Sequence, residues 1–305
     1  EVYLLAEQPT VALTSTANIS VLEKTLAITS NAEVMIDWQA STTAKWLNLT
    51  PVNNTHIKIT ADPSIAAINK NLSAQVIISA NTDNNVIAET INVNFYNSNL
   101  EVENKVLDLL TINNNGMVAS PLTPLFYIAV DNQLQTYHQY TGEKTANLVV
   151  SPASTTLTQL IMHPSGDYVL AKAVETVVSE DETTTEIVHR YRINLSNNSA
   201  IEVLDADIVS EPINIIRLSG RYFVVTQTLE LADENLQVLF WDGVNAYFSN
   251  KVDVATQANT LFALDNNAAS IKRYLPQVNN YGDDSVLMSL TDDFHPTLLP
   301  DGKVI

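Results

Sequence analysis

Apolar residues in this chain recur with a period of two, in short runs, and almost nowhere with the period of a helix. The runs are rich in Val, Ile, Thr and Tyr, the residues that suit a pleated, half-buried surface. Thr10–Thr16, Lys24–Thr29, Val34–Gln39, Lys45–Leu49, His56–Ala61, Ala74–Ser79 and Thr90–Tyr96 each read as a strand. Turn clusters such as Thr29-Ser-Asn31, Val52-Asn-Asn54 and Thr82-Asp-Asn-Asn85 separate them. Seven strands in about 90 residues predict a β-sandwich. Pro63–Leu72, with Ile65, Ala66, Ala67 and Ile68, reads as a short helical crossover.

Four stretches of this half carry a family resemblance: Ala44-Lys-Trp-Leu-Asn-Leu-Thr-Pro51, Ile57-Lys-Ile-Thr-Ala-Asp-Pro63, Ala74-Gln-Val-Ile-Ile-Ser-Ala80 and Glu89-Thr-Ile-Asn-Val-Asn-Phe95. Together, across residues 8–97, they resemble the BACON family of bacterial immunoglobulin-like sandwiches. The Tyr usual before the penultimate strand is absent; Leu72-Ser73 stands there. The resemblance implies an extracellular or periplasmic domain, in an array or beside an enzyme, with carbohydrate as a suggested ligand class. It carries over no binding residue. Trp46 reads as a core plug, and Trp38 reads equally as core or as an exposed platform for a sugar ring. Glu1–Pro9 reads either as this sandwich's first strand or as the tail of a preceding one.

Past the polar stretch Asn97–Asn104 the spacing changes. Leu160-Ile-Met-His-Pro-Ser-Gly-Asp-Tyr-Val-Leu170 and Ile215-Ile-Arg-Leu-Ser-Gly-Arg-Tyr-Phe-Val-Val225 share one form: an apolar strand, a Ser-Gly turn, then a strand led by an aromatic residue. Pro124–Val130 and Tyr140–Lys144 read as later strands of a preceding unit, and Gln257–Leu264 as the start of another. A period near 50 with about four strands is the arithmetic of propeller blades. The His-Pro-Ser-Gly-Asp-Tyr and Tyr-Thr-Gly-Glu steps resemble WD40/YVTN-type blades, although Trp241-Asp242 stands alone. The expected organisation is all-β: an immunoglobulin-like sandwich over 1–97, a linker over 98–107, and a propeller-like domain of about four units over 108–305. Four units is a short ring, so the chain is expected to be a segment of a longer protein or a subunit of an assembly.

Charge and composition limit the partners. Fifteen Lys plus Arg against 34 Asp plus Glu leave a net charge of −19, which argues against nucleic acid, whose binding needs clustered cations. No cysteine is present, so disulfides, thiolate metal sites and cysteine nucleophiles are excluded. No run approaches the ~18 apolar residues of a membrane-spanning helix. Few cations with abundant Asn and Thr suit a bacterial surface module, extracellular or periplasmic, with an acidic cytosolic protein as the alternative reading. The chain opens on Glu1 without a signal peptide, and is expected to be processed from a precursor.

Motifs of catalysis are missing from the sequence. The five His have no metal-ligand spacing, and there is no nucleophile elbow or phosphate loop. His163 reads as a turn residue, and Ser179-Glu-Asp-Glu182 as a charged hairpin tip. Acidic turns at Asp265, Asp283, Asp284, Asp292 and Asp293 offer oxygen ligands of the kind Ca²⁺ takes, and read more simply as solvated turns. Trp38, Tyr137 and Tyr140 are the candidate stacking residues for carbohydrate. The expected function is a non-catalytic extracellular surface module for adhesion, assembly or glycan binding, with glycans, other surface proteins or copies of itself as partners. The alternatives are a structural subunit of a bacterial surface filament or layer, and part of a secreted hydrolase.

Overall fold

The computed structural model describes residues 2–32, 35–82, 85–103, 116–204, 206–218, 220–228, 230–241, 248–255, 260–265, 270–277 and 287–294. The fold is all-β, an immunoglobulin-like sandwich followed by propeller-like sheets.

The sandwich comprises β1 (Val2–Ala6), β2 (Thr10–Ser15), β3 (Ser20–Val21), β4 (Glu23–Ser30), β5 (Trp38–Ser41), β6 (Leu47–Asn53), β7 (His56–Ala61), β8 (Lys70–Ala80), β9 (Val86–Ile87) and β10 (Glu89–Asn97). One sheet has the order β6-β7-β4-β1-β9 and the other β3-β2-β10-β8-β5. β1 pairs antiparallel with β4, and the chain then crosses so that β2 lies parallel to β10, Leu13 opposite Phe95. The runs β6-β7-β4-β1 and β5-β8-β10 match the two halves of the immunoglobulin arrangement. Strand alternation sends Leu26 and Ile28, Ile57 and Ile59, Val76 and Ile78, and Ile91, Val93 and Phe95 into one core.

One open reading is settled and two local expectations change. Glu1–Pro9 supplies β1 of this sandwich, not the tail of another, because its backbone pairs with Ile28–Ser30. The stretch read as a helical crossover holds turns over residues 63–69 and enters β8 at Lys70. Asp62 caps a single turn, accepting from Ser64 N at 2.9 Å, and Asn97 Nδ2 holds that turn through the Ala66 carbonyl at 3.0 Å. The strand expected from Val34 begins at Trp38; Val34 itself lies outside the described residues.

Four four-stranded antiparallel meanders follow. The first is β11 (Met117–Ala119), β12 (Leu125–Val130), β13 (Gln133–His138) and β14 (Lys144–Val149). The second is β15 (Thr155–Met162), β16 (Tyr168–Val178), β17 (Thr184–Asn194) and β18 (Ser199–Glu202). The third is β19 (Pro212–Leu218), β20 (Arg221–Thr226), β21 (Glu230–Ala232) and β22 (Val238–Trp241). The fourth is β23 (Phe248–Ala255), β24 (Thr260–Asp265), β25 (Ser270–Gln277) and β26 (Leu287–Phe294). This sheet starts one strand earlier than expected, at Phe248; residues 260–265 are its second strand. The two Ser-Gly turns join the first and second strands of their sheets, and Gly166 and Gly220 both hold φ at 78°, a value that favours glycine.

By contact density the chain forms two compact units, 1–202 and 203–305. Within the first, the sandwich meets the first two meanders. The Tyr140 hydroxyl lies 2.7 Å from Thr14 Oγ1, the Tyr140 ring stacks on Tyr96 at 5.2 Å, and His138 meets Tyr96 edge-on at 5.0 Å. Thr10 Oγ1 donates to the Pro164 carbonyl at 3.3 Å.

Candidate functional site

β16 and β17 are each 11 residues long, whereas their neighbours β15 and β18 have eight and four. β15 pairs along β16 only as far as Glu175, and β18 covers β17 only from Tyr191 to Asn194. The ends of β16 and β17 therefore leave the sheet as a two-stranded ribbon. Pairing within it runs without a bulge from Tyr168↔Asn194 to Val178↔Thr184. Val177 and Ile187 share one face, Val178 and Val188 the other. They are 40%, 42%, 65% and 37% exposed. Water contact at four such side chains forgoes part of the burial that stabilises a strand, and leaves apolar surface on both faces of the ribbon.

At its tip, Asp181 accepts from Ser179 Oγ at 2.5 Å and Thr183 Oγ1 at 2.7 Å. Those bonds hold the Asp181 pKa down at about 2. At its base, His189 Nδ1 lies 2.7 Å from Glu202 Oε1 and Nε2 lies 3.6 Å from Glu175 Oε2. The Glu202 hydrogen bond raises the imidazole pKa, as it favours the charged ring.

Other polar groups close on themselves. His163 Nδ1 and Ser165 Oγ are 2.5 Å apart, and Ser165 Oγ donates to Asp167 Oδ2 at 2.5 Å. The residue types match a hydrolytic triad but the arrangement does not: the serine hydroxyl is already given to the carboxylate, so the histidine has no proton to take from it. Gly166 N also donates to the His163 carbonyl at 2.8 Å, which makes the group a locked β15–β16 turn, as expected of His163. Glu230, 2% exposed, was not singled out in the sequence. Its carboxylate accepts from Val209 N at 2.8 Å, Ser210 N at 3.2 Å and Thr226 Oγ1 at 2.7 Å, tying the 209–210 loop to the third meander.

The candidate stacking residues do not converge. Trp38 packs against the sandwich core, and its Nε1 donates to the Asn54 carbonyl at 2.8 Å. Trp46 is half-buried against the same core, its ring 5.7 Å from Phe95. Tyr137 is only 7% exposed, stacks on Phe126 and donates to Gln135 Oε1 at 2.7 Å. Tyr140 belongs to the joint with the sandwich. Among the candidate calcium ligands, Asp283 and Asp284 lie outside the described residues. Asp265 ends β24. Asp292 and Asp293 lie in strand β26, not in a turn, at register positions opposite Arg273 and Lys272. Among the described residues no cluster of three or more His, Asp or Glu is placed to hold a metal ion.

An open cleft of about 420 Å³ lies beside the β1–β2 turn, lined by Pro9, Thr10, Lys24, Pro121 and Pro164 among others. No described helix is long and apolar enough to cross a membrane.

No protein-family model matches the chain, and no curated protein does. Solved structures similar to it include KlHsv2 with loop 6CD replaced by a Gly-Ser linker, at 10% identity and a TM-score of 0.36 over 88% of this chain and 78% of that one. An oligogalacturonate lyase in complex with manganese is similar at 9% identity and a TM-score of 0.35 over 79% of this chain and 71% of that one.

Proposed function

We propose that this chain is a non-catalytic extracellular module for adhesion or assembly, and that the β16–β17 ribbon is its working surface. The observation that carries this reading is the ribbon's combination of exposed valine and isoleucine on both faces with strand edges left open beyond the sheet. A lone two-stranded hairpin is marginal in water, and an uncovered edge is a template for another chain. Protein contact is favoured over glycan contact because Trp38, Tyr137 and Tyr140 are each committed to packing or hydrogen bonds. The BACON resemblance of residues 8–97 supports an extracellular setting.

Beads coated with the full chain, or with a variant whose residues 176–186 are replaced by an Asn-Gly turn, test the reading on bacterial cells and on one another. The full chain should bind cells or cluster beads, and the shortened chain should do neither. Equal adhesion by both, or turnover of a glycan by the full chain, contradicts it.

A further inference from the structure

We infer that the outer edge of β17, residues 184–189, takes up an extended segment in which apolar residues alternate with lysine or arginine, adding it as a further strand. The inference rests on the adhesion reading and names the partner's chemistry.

The edge is suited to addition. Natural open edges are protected by prolines, bulges, short length or inward charges. Here the pairing has no register shift, residues 184–189 contain no proline, and six residues span roughly 20 Å. Ser179 N donates to the Thr183 carbonyl at 2.9 Å at the tip. Antiparallel alternation from that pair turns the main-chain N–H and C=O of Thr184, Glu186 and Val188 away from β16. These groups can bond an incoming strand, while Ile187 and Val188 each offer a face to its apolar side chains.

Charge selects the partner. From Ala173 to His189 the chain holds Glu175, Glu180, Asp181, Glu182 and Glu186, and no Lys or Arg. A second copy of the same ribbon would set these carboxylates against their own kind, and the net charge of −19 opposes self-association further. A segment carrying cations between its apolar residues meets opposite charge on both sides of the edge.

Two short peptides test this on the full chain, one alternating Val with Lys and the other Val with Glu. The Val-Lys peptide should bind, weaken as salt rises, and slow hydrogen exchange at the amides of Thr184, Glu186 and Val188. Glu182→Lys with Glu186→Lys should weaken it about tenfold, a change of ~1.4 kcal/mol. Val188→Pro, which removes one outward N–H at an edge position that tolerates proline, should weaken it as well. The inference is overturned if neither peptide binds, if both bind equally, or if protection falls elsewhere. Shortened-ribbon beads that lose adhesion while the chain ignores both peptides would leave the adhesion reading standing and remove this one.

Discussion

His138 and His189 sit in neighbouring meanders of the same kind, and their surroundings push them in opposite directions. Burial lowers the His138 pKa, with Glu143 opposing, whereas the hydrogen bond that His189 donates to Glu202 raises its own. The contribution of His138 to stability is therefore complete above the unfolded value of about 6.5 and is lost as pH falls towards its folded value. That of His189 is complete below about 6.5 and is lost as pH rises through its folded value. NMR titration of the two imidazoles should place His138 below 6.5 and His189 above it; the reverse order would contradict the geometry. Trp46, expected as a core plug, instead packs against the core from the turn before β6, its ring stacked on Phe95. It is only half-buried, so Trp46→Ala should cost about 2 kcal/mol in chemical denaturation, below the ~3–5 kcal/mol of a fully buried aromatic. Glu230 was not legible: its donors come from residues 209, 210 and 226, and only the folded chain brings them to one carboxylate. Removing that acceptor leaves buried donors unbonded, so Glu230→Ala should destabilise the chain by roughly 3 kcal/mol in the same assay.

Strands were readable where alternation is clean. His56–Ala61 was placed with both its ends because Ile57, Ile59 and Ala61 alternate with His56, Lys58 and Thr60. The two Ser-Gly hairpins were readable because a turn with positive φ favours glycine, and the aromatic residue that follows starts the next strand. β23 was missed because Phe-Ser-Asn-Lys-Val-Asp-Val-Ala opens with three polar residues after Phe248. The run Ile65–Ile68 was misread as helical since its apolar residues are consecutive; the turn is set instead by Asp62 and by a bond from Asn97, far along the chain. The tip of the β16–β17 hairpin was legible, but its length beyond the sheet was not, because only β15 and β18 define where the sheet ends. Since the ribbon's apolar side chains keep a third or more of their surface in water and its outer end pairs with no third strand, replacing residues 176–186 by an Asn-Gly turn should shift the melting temperature by no more than about 2 °C. A large drop would mean the ribbon is structural.

Within the unit spanning residues 1–202, the sandwich and the first meander meet through Thr14, Tyr96, His138 and Tyr140. Tyr140→Ala removes both the ring stack and the hydroxyl contact, so the two halves should lose their fixed orientation. The chain has no cysteine, so spin labels at Thr50→Cys and Lys144→Cys report that orientation without interference. The distance distribution should broaden in Tyr140→Ala and stay narrow in Tyr140→Phe, which keeps the stack; equal widths in all three would show that the joint is held elsewhere. For the molecule as a whole the central claim is that the ribbon is where partners bind. Hydrogen exchange of the full chain, free and bound to the cell surface to which it adheres, tests this most directly. Slower exchange concentrated at residues 176–189 is the predicted result. Protection at Thr10, Val11 and Lys24 in the cleft beside the β1–β2 turn, with the ribbon exchanging as fast as in the free chain, would contradict it.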